Sequence, residues 1–418
     1  MSHAVVDDTA DALVLQLLID PVGRADPYPL YQQLRETAPV LRSSLGSLVL
    51  STYDDCMTVL GDQRLGRGLK MRRNGGVGGA PLSALDADPQ VRDEFFDHAG
   101  HNMLFADAPD HTRLRRLASQ AFTPARVRRL RPTVERMVDD LLDEIAQQPQ
   151  VELISDVALP LPIRVIGELV GVPVEDRAAF QPLIRASTAG IEPGTSPQAL
   201  RAAVDAIGEL GAYFGELIAR RRQEPADDLL TALAASGDAD DRLSEQEIIA
   251  TAILLFAAGF ETTTNLIGNG MLALLQHPEQ QQRWRDDQSV ESTAVEELLR
   301  WDSPVQINMR TALQPCEAAG VPIAPGESVL LLQGGANRDP ARFHDPESLD
   351  LTRDDNHPLS FGWGIHYCLG AALARMEGEV WFSRLLQRHD HITWLDDEPH
   401  WRPSFTLRGL EQLNVRFV

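Results

Sequence analysis

Cys368 closes a glycine-rich turn, Phe361-Gly362-Trp363-Gly364-Ile365-His366-Tyr367-Cys368-Leu369-Gly370, and stands just ahead of the helix-forming run Ala371 to Glu377. A thiol placed there meets the unpaired N–H groups and the dipole of a helix start. Both favour negative sulfur and make a thiolate available as a metal ligand. Gly364 suits a tight turn, and Gly370 leaves room for a flat partner beside the sulfur. The competing uses are a buried structural cysteine, or a zinc site with His366 or His357, for which no second Cys/His pair completes four ligands. A second constellation is Ala258-Gly259-Phe260-Glu261-Thr262-Thr263, an acid and hydroxyls ending an otherwise apolar run. A carboxylate is costly in such a place. Either the hydroxyls bond back to the preceding turn and the acid reaches solvent, or the pair does general acid–base work where bulk water is excluded. Glu297 and Arg300, three apart, share a helix face. Out of context they would be an ordinary exposed pair.

Helical periodicity dominates the elements that must carry these groups. Val134, Met137, Val138, Leu141, Leu142 and Ile145 form one apolar stripe behind Pro132. Strand signals are short: Pro39 to Thr52 around Gly46, Gly320 to Leu332 with Pro325-Gly326, and Phe405 to Val418. Small sheets beside a helical body are expected. Residues 70 to 104, with Gly75, Gly76, Gly78 and Gly79, read as a mobile loop. These glycines lack the following Lys-Ser/Thr of a phosphate loop.

The 418 residues show no Pro-, Ser- or Gly-rich tether and no repeat, so a single domain over 26–418 after an N-terminal extension, 1–25, is expected. A formal charge of −23 argues against nucleic acid as the main partner. Asp7, Asp8 and Asp11 precede the first apolar run, unlike a secretory signal, so the chain is expected in the cytoplasm. The apolar run Ile248 to Phe260, between Glu247 and Glu261, is too short to span a bilayer and reads as a buried helix, so no membrane is expected. Three scattered cysteines, Cys56, Cys316 and Cys368, make no disulfide framework.

The pattern Phe-x-x-Gly-x-x-x-Cys-x-Gly over Phe361 to Gly370 resembles the haem-ligand loop of the cytochrome P-450 family, bacterial soluble type, and every defining position matches. Ala258 to Thr263 resembles the family's oxygen-activating helix, and Glu297-Leu298-Leu299-Arg300 its internal Glu-x-x-Arg pair. Asn337-Arg338-Asp339-Pro340, with Phe343, Pro346, Asp350 and Arg353, resembles its pre-haem meander. Leu349 departs from that pattern, where phenylalanine is more usual. The likeness runs from Asp26 to the C-terminus, with the motifs in the family's order. It implies a mainly α fold with small β-sheets, a triangular helical body enclosing haem b and a β-rich side region. It also implies that Cys368 holds the haem iron, with Phe361, Gly362, Gly370, Ala258 and Gly259 around the cofactor. His111, Arg115, Arg310 and His366 would meet the two propionates, and glycine would open space beside the iron. Glu261 and Thr262 would deliver protons, while Glu297 and Arg300 lock the meander and Glu296 is a solvated neighbour.

No flavin or nicotinamide fingerprint appears, so the resemblance implies electrons from a ferredoxin and its reductase, acting with O2 on a small organic substrate. Arg113, Arg116, Arg126, Arg128, Arg129 and Arg131 could steer an acidic partner or form structural salt bridges. By position, Leu255, Ala258, Val305, Ile307 and Phe405, with Ile191 and the 70–104 loop, are candidates for a mainly apolar substrate pocket. The implied activity is hydroxylation or epoxidation by a monomer, in secondary metabolism. A peroxide-using enzyme, a haem sensor and a carrier-bound substrate are the alternatives.

Overall fold

The computed structural model describes residues 8–73, 88–192, 195–237 and 241–417. Its axis is the 32-residue helix Glu245–Gln276, started by a capping box in which Ser244 and Glu247 satisfy each other's backbone N–H groups. The apolar run read from the sequence is only its first half. Beyond Glu261 the helix continues through Leu266, Ile267, Met271 and Leu272, all buried, and the whole is long and apolar enough by length and composition to cross a membrane. Here it is wrapped instead by helices Pro160–Val170, Pro197–Gln223, Glu291–Trp301 and Ala371–Arg388. Glycines set how close they come: a Cβ on Gly270 would lie 2.6 Å from the Phe382 ring.

The helix with the stripe Val134 to Ile145 begins earlier than Pro132 suggests. It spans Pro124–Ile145 and runs through Pro132. Thr123 caps it by accepting from Arg126 N, and Pro124 occupies the first turn, where its missing N–H costs nothing. Burial of Val134, Val138, Leu141, Leu142 and Ile145 outweighs the one helical bond lost inside.

The largest sheet has five short strands in the order Val40–Arg42, Ser47–Leu50, Ser328–Leu331, Asn308–Ala312 and Leu65–Gly66, with one parallel pairing, Ser47–Leu50 on Ser328–Leu331. It aims Arg310 inward. A three-stranded sheet and two two-stranded pairs complete the β side. The 70–104 segment is not the uniform loop expected. Leu69–Arg73 and Pro89–Gly100 are helices, the second opened by an Asp88 cap and Pro89, a start signal that a mixed Pro, Asp and His composition hid. Gly75, Gly76, Gly78 and Gly79 lie outside the described residues. The expected extension is also part of the body from Asp8 onward: helix Asp8–Ile19 buries Ala10, Val14, Leu17 and Leu18 against Tyr31, Leu34 and Phe405.

Candidate haem-binding site

Cys368 is presented by two consecutive short turns. Gly362 and Gly364 both have φ of +70°, and a side chain on Gly364 would strike the Leu60 carbonyl at 2.5 Å. Only glycine fits there. Cys368 N donates to the Phe361 carbonyl at 2.9 Å, which closes the loop. The sulfur then faces the N–H groups of Gly370 and Ala371 at the start of helix Ala371–Arg388. These N–H groups, with Arg115 and Arg375, favour the thiolate, but burial is the larger effect and pushes the thiol up. The helix start alone therefore does not ionise this cysteine, a correction to the sequence reading. A cation bound at the sulfur is what would. The Cβ of a residue at 370 would meet only the Cys368 sulfur, 4.0 Å away, so that side of the loop is open to a flat group.

Beside the loop lies a cluster of basic side chains. His111 is 2% exposed, and its ring centre is 4.1 Å from that of His366. Arg310 is buried, donates to Asn308 Oδ1 at 2.5 Å and to the Met309 carbonyl at 3.1 Å, and is pushed down to about 10 by burial, which Asp107 partly offsets. Arg115 donates to the Tyr367 carbonyl at 2.6 Å. Arg67, not anticipated from sequence, joins them through Asn308 Oδ1 at 3.1 Å. It follows the two-residue strand Leu65–Gly66, and no local pattern marks it. Burial, then Arg67, Arg310, His111 and Arg115, drives the His366 imidazole far below its ordinary value. Its Nε2 is buried with no hydrogen-bond partner among the described residues. Buried cations with an orphaned imidazole nitrogen fit a ligand that brings negative charge. Haem, with two carboxylates on a flat ring, has the chemistry this set of residues asks for.

On the central helix, Ala258 is exposed between buried Phe256 and Phe260. Thr262, one turn on, donates its hydroxyl to the Ala258 carbonyl at 2.5 Å. Glu261 neither reaches solvent nor shares that face. It is 0% exposed, and one oxygen lies against Arg402 Nη1 in a close ionic contact that is not aligned as a hydrogen bond. Arg402 stands 141 residues away, and sequence spacing gives no hint of it. Gly259 also faces otherwise than expected. Its missing side chain admits Ile166 of helix Pro160–Val170, whose Cδ1 would lie 3.2 Å from a Cβ, so this glycine serves helix packing.

The structure joins Glu297 to Arg300 through two bonds of 2.7 and 2.8 Å, both residues being 0% exposed. Arg353 and Asn356 each add a bond to the same carboxylate at 3.0 Å, and Asp350 N one at 2.9 Å. Arg300 also donates to the carbonyls of Asn337, Pro346 and Ser348. Leu349 is buried in the main core. Glu296 is not a solvated neighbour, because it pairs with Arg375 of the next helix.

The basic stretch is tied to acids of the same chain: Arg113 to Glu247, Arg116 to Asp241, Arg126 to Asp227 at 3.3 Å, and Arg131 to Glu291 and Glu379 at 2.9 and 3.1 Å. Among the proposed pocket residues Val305 is half-buried and bridges to Leu407, whereas Leu255 packs into the main core, and Ile307 and Phe405 pack into the cluster under the N-terminal helix.

The family model for cytochrome P450 matches residues 197–409. Cytochrome P450 107B1 of Saccharopolyspora erythraea is 41% identical over 407 residues, covering 96% of this chain and 97% of that protein. The polyketide biosynthesis cytochrome P450 PksS of Bacillus subtilis is 37% identical over 413 residues, covering 96% and 98%. The crystal structure of P450BioI in complex with an acyl carrier protein ligated to hexadec-9Z-enoic acid superposes with a TM-score of 0.87 at 38% identity, over 95% of this chain and 100% of that one. With a cysteine loop and cation cluster suited to haem on the same fold, the chain belongs to the cytochrome P450 family of haem-dependent monooxygenases.

Proposed function

We propose that Cys368 holds haem b and that the enzyme inserts one atom of O2 into a moderately hydrophobic small organic substrate, by hydroxylation or epoxidation. A ferredoxin and its reductase supply the electrons, and the enzyme works as a cytoplasmic monomer in secondary metabolism. The observation that carries this reading is the Cys368 sulfur at a helix start beside buried cations and an unpartnered His366 Nε2. When bound, the haem supplies a redox-active iron whose thiolate ligand favours O–O cleavage.

The chain's own residues do the rest. Arg115, Arg310, His111 and His366, with Arg67, bind and orient the propionates. Glu297 and Arg300 hold the meander that backs the loop. Ala258 is the open wall on the central helix, and the Thr262 hydroxyl, parked on the Ala258 carbonyl, turns to hold a water and pass on its proton. Glu261, which Arg402 otherwise holds turned aside, leaves that contact, takes up a proton from water and passes it on to the threonine. Reducing the purified protein, adding carbon monoxide and recording the spectrum tests the reading. A strongly red-shifted Soret band that vanishes in Cys368→Ser supports it. A haem spectrum without the shift, or no haem, overturns it. The P450BioI complex favours a second possibility for the substrate, one tethered to a carrier protein, which turnover of tethered against free acyl substrates distinguishes.

A further inference from the structure

Tyr367, the residue before Cys368, is gripped at both ends by arginines from different helices. Arg115 of helix Asp110–Ala121 donates to its carbonyl at 2.6 Å, and both Nη groups of Arg375, from helix Ala371–Arg388, reach its hydroxyl at 3.3 Å. Arg375 also sits over the Phe361 ring, its guanidinium carbon 4.4 Å from the ring centre. Phe361 in turn accepts the Cys368 N–H. One guanidinium thus touches the residue that precedes the cysteine and the residue that closes its loop. Its own position is set by Glu296 of helix Glu291–Trp301, which pairs with it in a contact 32% and 20% exposed at the two side chains. A surface groove of about 380 Å³, lined by Glu296, Arg375, Arg353 and Asp355 among others, opens onto this pair. Arg375 is one of the two cations that bear on the Cys368 sulfur.

We infer that Arg375, clamped between Glu296 and Tyr367, is a positioning residue for Cys368 whose charge, moderated by Glu296, sets the reduction potential of iron held at that sulfur. This rests on Cys368 being the ligand. The physical argument is one of sign. A cation near a redox centre stabilises the electron-richer state and raises the potential, and an anion beside the cation cancels part of that field. The flat, forked guanidinium matters as well as the charge, because it stacks on Phe361 and bonds Tyr367 together, which an ammonium cannot do.

The test is a spectroelectrochemical titration of the haem-loaded enzyme, wild type and variants, with the reduced carbon monoxide spectrum taken first. Arg375→Gln makes the potential more negative than wild type. Glu296→Gln, which leaves the cation in place through Tyr367 and Phe361 but uncompensated, makes it more positive. Arg375→Lys lies nearer wild type than Arg375→Gln, and Tyr367→Phe, which changes no charge, moves the potential least. A brace without electrostatic effect would weaken haem retention in these variants with no reversal of sign. If Arg375→Gln fails to hold haem, the positive shift of Glu296→Gln still decides. Equal potentials throughout, or shifts of one sign in Arg375→Gln and Glu296→Gln, overturn the inference. A wild-type spectrum without the red-shifted band overturns the Cys368 reading itself, whereas a normal band with unmoved potentials overturns only the role of Arg375.

Discussion

Two buried charged clusters flank the cysteine loop, and they are built on opposite plans. Around Glu297 the carboxylate takes bonds from Arg300, Arg353, Asn356 and the Asp350 backbone, and the spare arginine N–H groups end on carbonyls. Around His366 the cations outrun their partners. Arg115 faces the Tyr367 carbonyl and the Cys368 sulfur, Asp107 is the carboxylate that bears on Arg310, and the His366 Nε2 has no hydrogen-bond partner among the described residues. A network closed on itself stabilises the fold. One left electrically open stabilises whatever anion completes it.

The comparison breaks most readily at Glu297. Its change to Ala strands Arg300 and Arg353 in the interior, a loss of roughly 3–5 kcal/mol for a buried pair. We expect a large drop in melting temperature and soluble yield with or without haem, read by calorimetry. Arg310→Gln should do the reverse of this in the haem-free protein. Removing an undercompensated buried cation leaves the melting temperature unchanged or higher, yet haem binding weakens by roughly 10- to 100-fold, the loss of one charged hydrogen bond of about 1.5–3 kcal/mol. Haem titration against both melts checks the pair of outcomes; destabilisation of the haem-free protein by Arg310→Gln would erase the distinction.

Thr262→Ala removes a hydroxyl that bonds only within its own helix. Stability should change by less than about 1 kcal/mol, whereas the coupling of NADH consumption to product, measured in the reconstituted system, falls several-fold. Full coupling would mean that the hydroxyl is only a helix feature. A smaller effect concerns pH. Burial, then Arg115, holds His111 below its ordinary 6.5, so the folded haem-free protein resists a proton that the unfolded chain accepts. Stability is therefore lost as pH falls below about 6.5, and His111→Gln should lessen that fall in melting temperature with pH without abolishing it, because His366 contributes in the same window. The smallest effect is expected at Arg116, half-exposed and paired with Asp241. Arg116→Gln should change stability by less than about 1 kcal/mol and leave the rate of electron transfer from ferredoxin near wild type. A large fall would identify the basic stretch as a docking surface rather than a set of structural salt bridges.

What the sequence by itself determined is local. The glycine turn into a helix at Cys368, the three-residue step from Glu297 to Arg300, the turn at Gly46 and the apolar stripe from Val134 to Ile145 are all written within a few residues, where helix and turn geometry fix which groups meet. The tertiary structure decided the rest, because packing between segments far apart has no period to read. It sent Glu261 to Arg402 and Glu296 to Arg375, turned Gly259 towards Ile166, brought Arg67 beside Arg310, and buried Phe405 beneath the first helix. It also decided the state of the cysteine. The helix start favours a thiolate from its neighbours alone, but the burial that outweighs it exists only once the distant helices have closed around the loop.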